Sequence, residues 1–486
     1  MAVDVEHLFL QGIAHADAAR HDEAEACFAA VLANEPGHSA ALFNRAMALH
    51  ALGRADEAIG ALVEVLRRHP DHHDTLFNLA AMLNAAGRRD EALALFVRLL
   101  ARQPDYPGVA YAVGAELLRR DRPEQAEPCL RIAAMLDPGS AQILNNLGAS
   151  LMAQRHAAPA EPWFARAATI APTEPDYAKN LGIAQLTQGK LRPGFRNYEW
   201  RRGQPVWGWN RAYPGKPEWR GEPIEGRRIL VYFEQGLGDS LQFVRYLPLL
   251  RAMDARTIFL CQPVLRDVLA TAPGIDMLVA DGDPLPDFDC HVSLMSLPDR
   301  CGTTLATIPA DIPYLRADPA LVALWGARLP PARFRIGVHW QSNGPTRDIP
   351  TEALAPLAEI AEIAGVQLVS LQPRAGAERP LLDAFGILPR EALAEGGTSF
   401  ADTAAIIAHL DLAICCDSSV THLAGAIGLP VLLVLPWLGD WRWMQLPDST
   451  PWYPAARLFR SERPDEWEAP IRAAARAAAA IIAARG

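Results

Sequence analysis

Two short stretches bring chemically able residues to the openings of helices. The first is Glu234-Gln235-Gly236-Leu237-Gly238-Asp239-Ser240, which lies between an apolar strand and a helix. Glycines at such a turn let the backbone approach a ligand, and the first N–H groups of the helix are unpaired donors that suit an anion. The second is Asp417-Ser418-Ser419-Val420-Thr421-His422, where the apolar run from Leu412 gives way to a helix. Hydroxyls and N–H groups at that helix start can cradle a diphosphate, and the helix dipole favours the negative charge. His422 lies one turn in, on the face of Ser418 and Ser419.

Elements that position these residues follow from the pattern between 228 and 465. Short apolar runs at Ile229–Phe233, Thr257–Leu260, Ile336–Trp340, Gln367–Leu371, Leu412–Cys415 and Pro430–Leu435 alternate with helical segments, which predicts parallel sheets. A proline-rich stretch from Ile308 to Pro331 divides the region into a first lobe, 228–315, and a second, 332–465. An Ala-rich helix over about Pro464 to Ala484 closes the chain, so 466–486 is set apart as a terminal helix. The expected fold is α/β with two Rossmann-like lobes facing one cleft, the GT-B arrangement, in which a terminal helix of this kind returns to the first lobe.

The region before it is all-α. Pro36, Pro70, Pro104, Pro138 and Pro172 are evenly spaced by 34 residues. Ala24, Ala58, Ala92, Ala126 and Ala160 follow the same period, as do Phe28, Leu62, Phe96, Leu130 and Phe164. Gly53, Gly87 and Gly189 form a further column, whose two intermediate slots hold Asp121 and Arg155. Small residues let paired helices approach, large apolar ones fill the gap, glycine ends one helix and proline ends the next. This period resembles the tetratricopeptide repeat and predicts a superhelix over 1–203, ending in a sixth repeat whose second helix is Arg192 to Arg201. Asn44, Asn78, Asn146 and Asn180 recur on the first helices, broken at Ala112. An amide both donates and accepts, so a ladder of them suits the backbone of an extended polypeptide; the alternative is bonding to neighbouring helices. The repeat array of O-GlcNAc transferase carries a similar ladder. Between 204 and 227, Trp207, Trp209, Tyr213 and Trp219 mark a packing segment, or alternatively an aromatic sugar platform.

The run Gly238-Asp239-Ser240-Leu241-Gln242-Phe243 resembles the first lobe of family 9, heptosyltransferase-like, glycosyltransferases, and Asp417 to His422 resembles the donor-contacting stretch of the second. The resemblance covers nearly the whole chain and includes bacterial repeat-containing relatives, whose layout is similar to that of O-GlcNAc transferase. It implies a nucleotide-sugar-dependent glycosyltransferase. Asp239 would be the catalytic base, against the alternative that it only caps its helix. Donor contacts would come from Gly236, Gly238, Gln341, Arg347, Gln372, Asp417, Ser418, Ser419 and His422. Arg347 would face the phosphates, Gln372 the base, and Asp417 and His422 the ribose or sugar. Trp437, Asp440, Trp441, Arg442 and Trp443 resemble a segment of the repeat-containing relatives that either lines the cleft or packs the last helix.

The expected reaction is inverting and metal-free, with a nucleotide sugar as co-substrate, no further cofactor, and a protein acceptor in the repeat groove. That acceptor would be a flagellin or another surface protein. A metal-dependent GT-A enzyme is the first rival, since Asp281-Gly282-Asp283 and Asp287-Phe288-Asp289 carry Asp-x-Asp spacing, although both sit among prolines and read as surface turns. A scaffold protein with a degenerate transferase lobe is the second. Net charge of −10 across 486 residues argues against nucleic acid as partner. No basic, then apolar, leader opens the sequence, no run is long enough to span a bilayer, and seven cysteines lack CxxC spacing, so a cytoplasmic protein with reduced thiols is expected.

Overall fold

A computed structural model describes residues 4–203, 211, 213–342, 344, 346–373, 376–393 and 399–485. The chain divides into two compact units, Met1–Ala171 and Pro172–Gly486.

The first unit is a run of helical pairs, from Val5–Asp17 with His21–Asn34 to Ala141–Ala153 with Ala157–Ile170. Sequence columns have direct structural meaning here. Phe28, Leu62, Phe96, Leu130 and Phe164 are buried between paired helices. Across from three of them the partner helix carries glycine: a Cβ on Gly12, Gly114 or Gly148 would come within 2.6, 2.7 and 2.7 Å of Phe28, Leu130 and Phe164. The column of Gly53 and Gly87 ends the first helix of each pair in the left-handed region, φ +76° and +79°. Ala19, Asp121 and Arg155 occupy the same slot at φ +56°, +56° and +64°. The turn thus imposes the conformation even where the residue disfavours it.

The second unit opens with another helical pair, Pro175–Thr187 and Leu191–Tyr198, followed by a short 3-10 turn, Glu199–Gly203. This pair keeps the repeat signature, with Gly189 at φ +78°. Its Leu186, Leu191, Phe195 and Tyr198 nevertheless belong to the same apolar core as the sheets that follow. Phe195 meets Phe243, Trp441 and Trp452 edge-on.

Two parallel sheets follow. Strands β1 (Arg228–Tyr232), β2 (Arg256–Cys261), β3 (Met277–Ala280) and β4 (Cys290–Ser293) form the first, in the order β3-β2-β1-β4. Strands β5 (Phe334–His339), β6 (Val366–Ser370), β7 (Ile387–Leu388), β8 (Leu412–Cys416), β9 (Val431–Leu435) and β10 (Ala456–Arg460) form the second, in the order β10-β9-β8-β5-β6-β7. All registered pairs are parallel, and β1, β8 and β9 are almost wholly apolar and buried, as strands covered on both faces must be. Strand order reverses at β1/β4 and at β5/β8. Those are the points where the carboxyl ends of parallel strands leave a crevice.

Two details differ from expectation. The proline-rich stretch holds a helix, Pro319–Arg328, capped by Asp318. The terminal helix, Glu468–Arg485, packs on the second lobe, whereas the GT-B arrangement implies a return to the first. Ile471, Ala474, Ala478 and Ile482 form an apolar stripe packed with Phe334, Ile336, Leu432 and Val434 of the second sheet. Alanines let the helix lie close to strands already rich in branched residues. Among the described residues no helix is long and apolar enough to cross a membrane.

Candidate active site

A cavity of about 760 Å³ opens between the two lobes of the second unit. All ten residues that the sequence assigns to catalysis or donor binding lie on its wall: Gly236, Gly238, Asp239, Gln341, Arg347, Gln372, Asp417, Ser418, Ser419 and His422. The turn after β1 brings the first three, the loops after β5 and β6 the next three, and the turn after β8 the rest.

The two key turns touch each other. A Cβ on Gly238 would lie 2.8 Å from His422 Cδ2 and 3.6 Å from Ser419 Cα. The sequence reading gave this glycine the task of admitting a ligand. Its observed task is to let the first-lobe helix Leu237–Phe243 and the second-lobe helix Ser419–Ile427 meet. Asp239 and the Ser418–Ser419 helix start are therefore held in one crevice.

Asp239 does cap its helix: its Oδ2 accepts the Gly236 N–H at 2.8 Å. Its Oδ1 accepts from the Arg442 guanidinium, which arrives from the segment after β9. Burial pushes the Asp239 carboxyl above its ordinary range, against the opposing pull of Arg442 and the Gly236 N–H. The result is a carboxylate anchored at both oxygens and made more basic than an exposed aspartate.

On the second lobe, Ser418 is the N-cap of Ser419–Ile427, yet its side chain does not cap the helix. Its hydroxyl instead faces His339 Nδ1 at 3.1 Å. The helix start therefore keeps its N–H groups for a ligand. Burial drops His339 to about 3, so the ring is neutral. His422 is buried as well, stacked on Trp443 at 5.3 Å and 13°, with Nδ1 2.9 Å from the Tyr453 hydroxyl. Burial first, then the charges of Arg442, Arg245 and Arg347, hold its pKa well below the usual histidine value. Where the phenol donates to Nδ1, the neutral ring carries its hydrogen on Nε2; the other tautomer reverses both roles.

Asp417 is raised to about 6 by burial and by Asp440, while Arg347 and other neighbours oppose the shift. Its Oδ2 lacks a hydrogen-bond partner, and Arg347 Nη1 stands 3.8 Å away. A buried acceptor in this state suits the hydroxyls of a ligand. Gln372 donates to Gln341 Oε1 at 2.9 Å, and Gln341 donates to Glu378 at 2.6 Å, which makes one amide chain along the wall.

Other polar groups on the wall were not foreseen in these roles. Arg201 makes a two-pronged pair with Glu234 at 2.7 and 2.8 Å, both residues buried, and Ser293 donates to the same carboxylate. Glu234 is thereby committed. Arg442 belongs to a segment the sequence singled out, but its partner lies 203 residues away, beyond the reach of any spacing rule. Lys179, Tyr198 and Arg202 bring the helical pair to the cavity wall.

The asparagine ladder is only partly a set. Asn44 and Asn78 donate back to the Ala40 and Asp74 carbonyls of their own helices, and Asn146 donates to the Tyr111 hydroxyl. Asn180 lies in the second unit. Of the connector aromatics, Tyr213 packs edge-on to Phe288 and Trp219 is buried, donating to the Glu222 carbonyl, which fits the packing reading; Trp207 and Trp209 lie outside the described residues. Both Asp-x-Asp sequences are surface features tied to Arg211, Arg266, Lys216 and Arg228. Among the described residues no three His, Cys, Asp or Glu side chains form a metal-holding group.

Residues 335–434 match the family model for glycosyltransferase family 9 (heptosyltransferase). Residues 9–65 and 111–175, and residues 49–116, match models for the tetratricopeptide repeat. The chain thus carries tetratricopeptide repeats followed by a family 9 glycosyltransferase domain. That match runs from β5 to β9 and includes the Asp417–His422 turn. A curated relative is Protein FlbA of Caulobacter vibrioides, 26% identical over 314 residues, or 58% of this chain and 51% of FlbA. The chain therefore spans about half the length of that relative. Similar solved structures are MamA 41-end from Desulfovibrio magneticus RS-1 and a tetratricopeptide repeat protein from Parabacteroides merdae. The first is 22% identical and covers 35% of this chain and 98% of that one at TM-score 0.32. The second is 18% identical and covers 40% and 77% at TM-score 0.35. Scores this low carry no argument about function.

Proposed function

We propose that the protein is an inverting glycosyltransferase that moves a sugar from a nucleoside-diphosphate donor to a hydroxyl of a protein acceptor, in the cytoplasm and without a metal. The observation that carries this reading is the shared crevice: an uncapped helix start at Ser418–Ser419 opposite a buried, raised carboxylate at Asp239.

In this scheme the diphosphate sits on the N–H groups and hydroxyls of the helix start, with Arg347 on the same wall. In its Nε2–H tautomer, neutral His422 offers a hydrogen without adding a charge, and Asp417 accepts from donor hydroxyls. Gln341 and Gln372 lie along the wall toward the base. The acceptor hydroxyl attacks the anomeric carbon from the face opposite the diphosphate, and Asp239 receives its proton. Asn44, Asn78 and Asn146 of the first unit, and separately Asn180 of the second, are the candidate contacts to the acceptor polypeptide. A flagellin or other surface protein is the acceptor class in this reading.

The test is mass spectrometry of proteins from cells making the wild-type chain, Asp239→Asn or no chain. Glycan mass increments present only with the wild type are expected. Increments of equal occupancy with Asp239→Asn overturn the role of Asp239, and identical spectra with and without the chain overturn the activity.

A further inference from the structure

Among the described residues, Arg442 is the one cation that pairs with the proposed base, and it does so across the two lobes. Its Nη2 donates to Asp239 of the first lobe. Its Nη1 lies 2.8 Å from Asp440 Oδ1, and the same oxygen accepts its backbone N–H at 3.0 Å. The guanidinium carbon lies 4.3 Å from the centre of the Trp441 ring, and the residue is only 7% exposed. It lines the same cavity as Asp239 of the first lobe and the Ser418–Ser419 helix start of the second.

Two carboxylates share this single cation. Asp440 holds it by sequence proximity and Asp239 holds it by charge across the cleft. Among the described residues of the cavity wall, Arg201 pairs with Glu234 and Glu199, Tyr198 accepts from Gln235, and His422 bonds to Tyr453. If Asp239 loses its negative charge, Arg442 loses one of its two counterions while remaining tethered by the other. In the proposed reaction that loss coincides with the appearance of negative charge on a leaving group in the same cavity.

We propose that Arg442 is a travelling counterion: it holds Asp239 ionised in the resting cleft and turns to the departing diphosphate as Asp239 takes the acceptor's proton. This rests on the reading of Asp239 as base and of a nucleoside diphosphate as leaving group. The step balances without any co-reactant. The acceptor O–H bond breaks and its proton goes to Asp239. The freed oxygen pair forms the bond to the anomeric carbon. The bond from that carbon to the phosphate oxygen breaks, and its electron pair stays on the diphosphate, where Arg442 meets it. Deprotonation of one substrate and departure of the other are thereby coupled through one guanidinium.

Asp239→Asn imitates the protonated base, so the coupling can be read from binding alone. ADP, GDP, UDP, CDP and TDP are first screened by thermal shift, and the one with the largest shift is titrated calorimetrically into four full-length proteins: wild type, Asp239→Asn, Arg442→Gln and the double variant. Asp239→Asn is expected to bind about tenfold more tightly than wild type, because Arg442 is released to the phosphates. Arg442→Gln is expected to bind more weakly, and the double variant to show no gain over Arg442→Gln. Arg442→Lys, which keeps the charge, should restore part of the gain in the Asp239→Asn background, and this guards against a folding defect in the Gln variant.

No gain in Asp239→Asn overturns the proposal. A gain that persists in the double variant also overturns it, since that would be simple removal of repulsion between a carboxylate and an anion. Neither result touches the role of Asp239 as base, which is read from glycan occupancy. Conversely, turnover by Asp239→Asn removes the base and leaves the binding cycle standing as a separate result.

Discussion

Charged residues behave differently in the helical repeats and in the cleft. In the repeats, Arg54 with Glu57 and Arg88 with Glu91 pair across three residues on exposed helix faces, at 2.6 and 2.7 Å. In the cleft, Arg201 and Arg442 reach Glu234 and Asp239, 33 and 203 residues away, and all four side chains are nearly removed from water. Exposed pairs are screened and nearly dispensable. Buried pairs are costly to form and far more costly to break, because the survivor is left as a lone charge in a poor solvent. In the repeats a residue's task follows from its column; in the cleft it follows from a partner that only the fold supplies.

The largest expected effect sharpens that contrast. Arg201→Ala should cost about 3–5 kcal/mol in urea unfolding at pH 7, since it strands Glu234. It should also reverse the pH dependence. Burial alone would raise Glu234, but the charge and hydrogen bonds of Arg201 hold it below the ordinary range. In the wild type this contribution is present above the unfolded carboxylate value and is lost as pH falls through the depressed folded value. Without Arg201, burial dominates and the folded value rises. The stability tied to Glu234 is then present at low pH and lost as pH rises through that raised value. Unfolding curves between pH 4 and pH 7 with the same slope for both proteins would break the comparison.

Next is Gly148→Ala in the repeats. The added Cβ would fall 2.7 Å from the Phe164 ring, in a buried site with little room, and overpacking of this kind costs about 1–3 kcal/mol. A neutral result would mean that the helical pair opens easily. Arg155→Gly should act in the opposite direction. Arg155 holds φ +64° in the column where Gly53 and Gly87 stand, so relief of the left-handed strain should stabilise by about 1 kcal/mol. A loss of stability would show that the Arg155 side chain matters more than its backbone. At the small end, Arg88→Ala should leave the melting temperature unchanged within error, because its pair with Glu91 is exposed to solvent.

The same contrast explains what could be read from the amino-acid sequence. The repeats were legible because identical constraints recur: Phe28 and Phe164 fill the same gap, and Gly53 and Asp121 close the same turn. The strands around the two motifs were legible as apolar runs, whereas β3, β4, β7 and β10 are short, exposed at one end or interrupted by charge, and give no such run. Placement of the ten assigned residues around one cavity was also legible, because each follows a strand at its carboxyl end. The contact of Gly238 with His422 was not, nor was the joining of Asp239 to Arg442, because neither lies within one element or one lobe. The terminal helix was misplaced for a related reason: its alanine stripe says that it packs, not on which sheet.

The account stands on a nucleoside diphosphate held at the start of the helix Ser419–Ile427. Calorimetric titration of ADP, GDP, UDP, CDP and TDP into the full chain and into Ser419→Asp, which sets a negative charge at that helix start, tests it most directly. At least one diphosphate should bind the wild type with one site per chain, and Ser419→Asp should lose that binding. Absence of binding by all five, or affinity untouched by Ser419→Asp, would contradict the account.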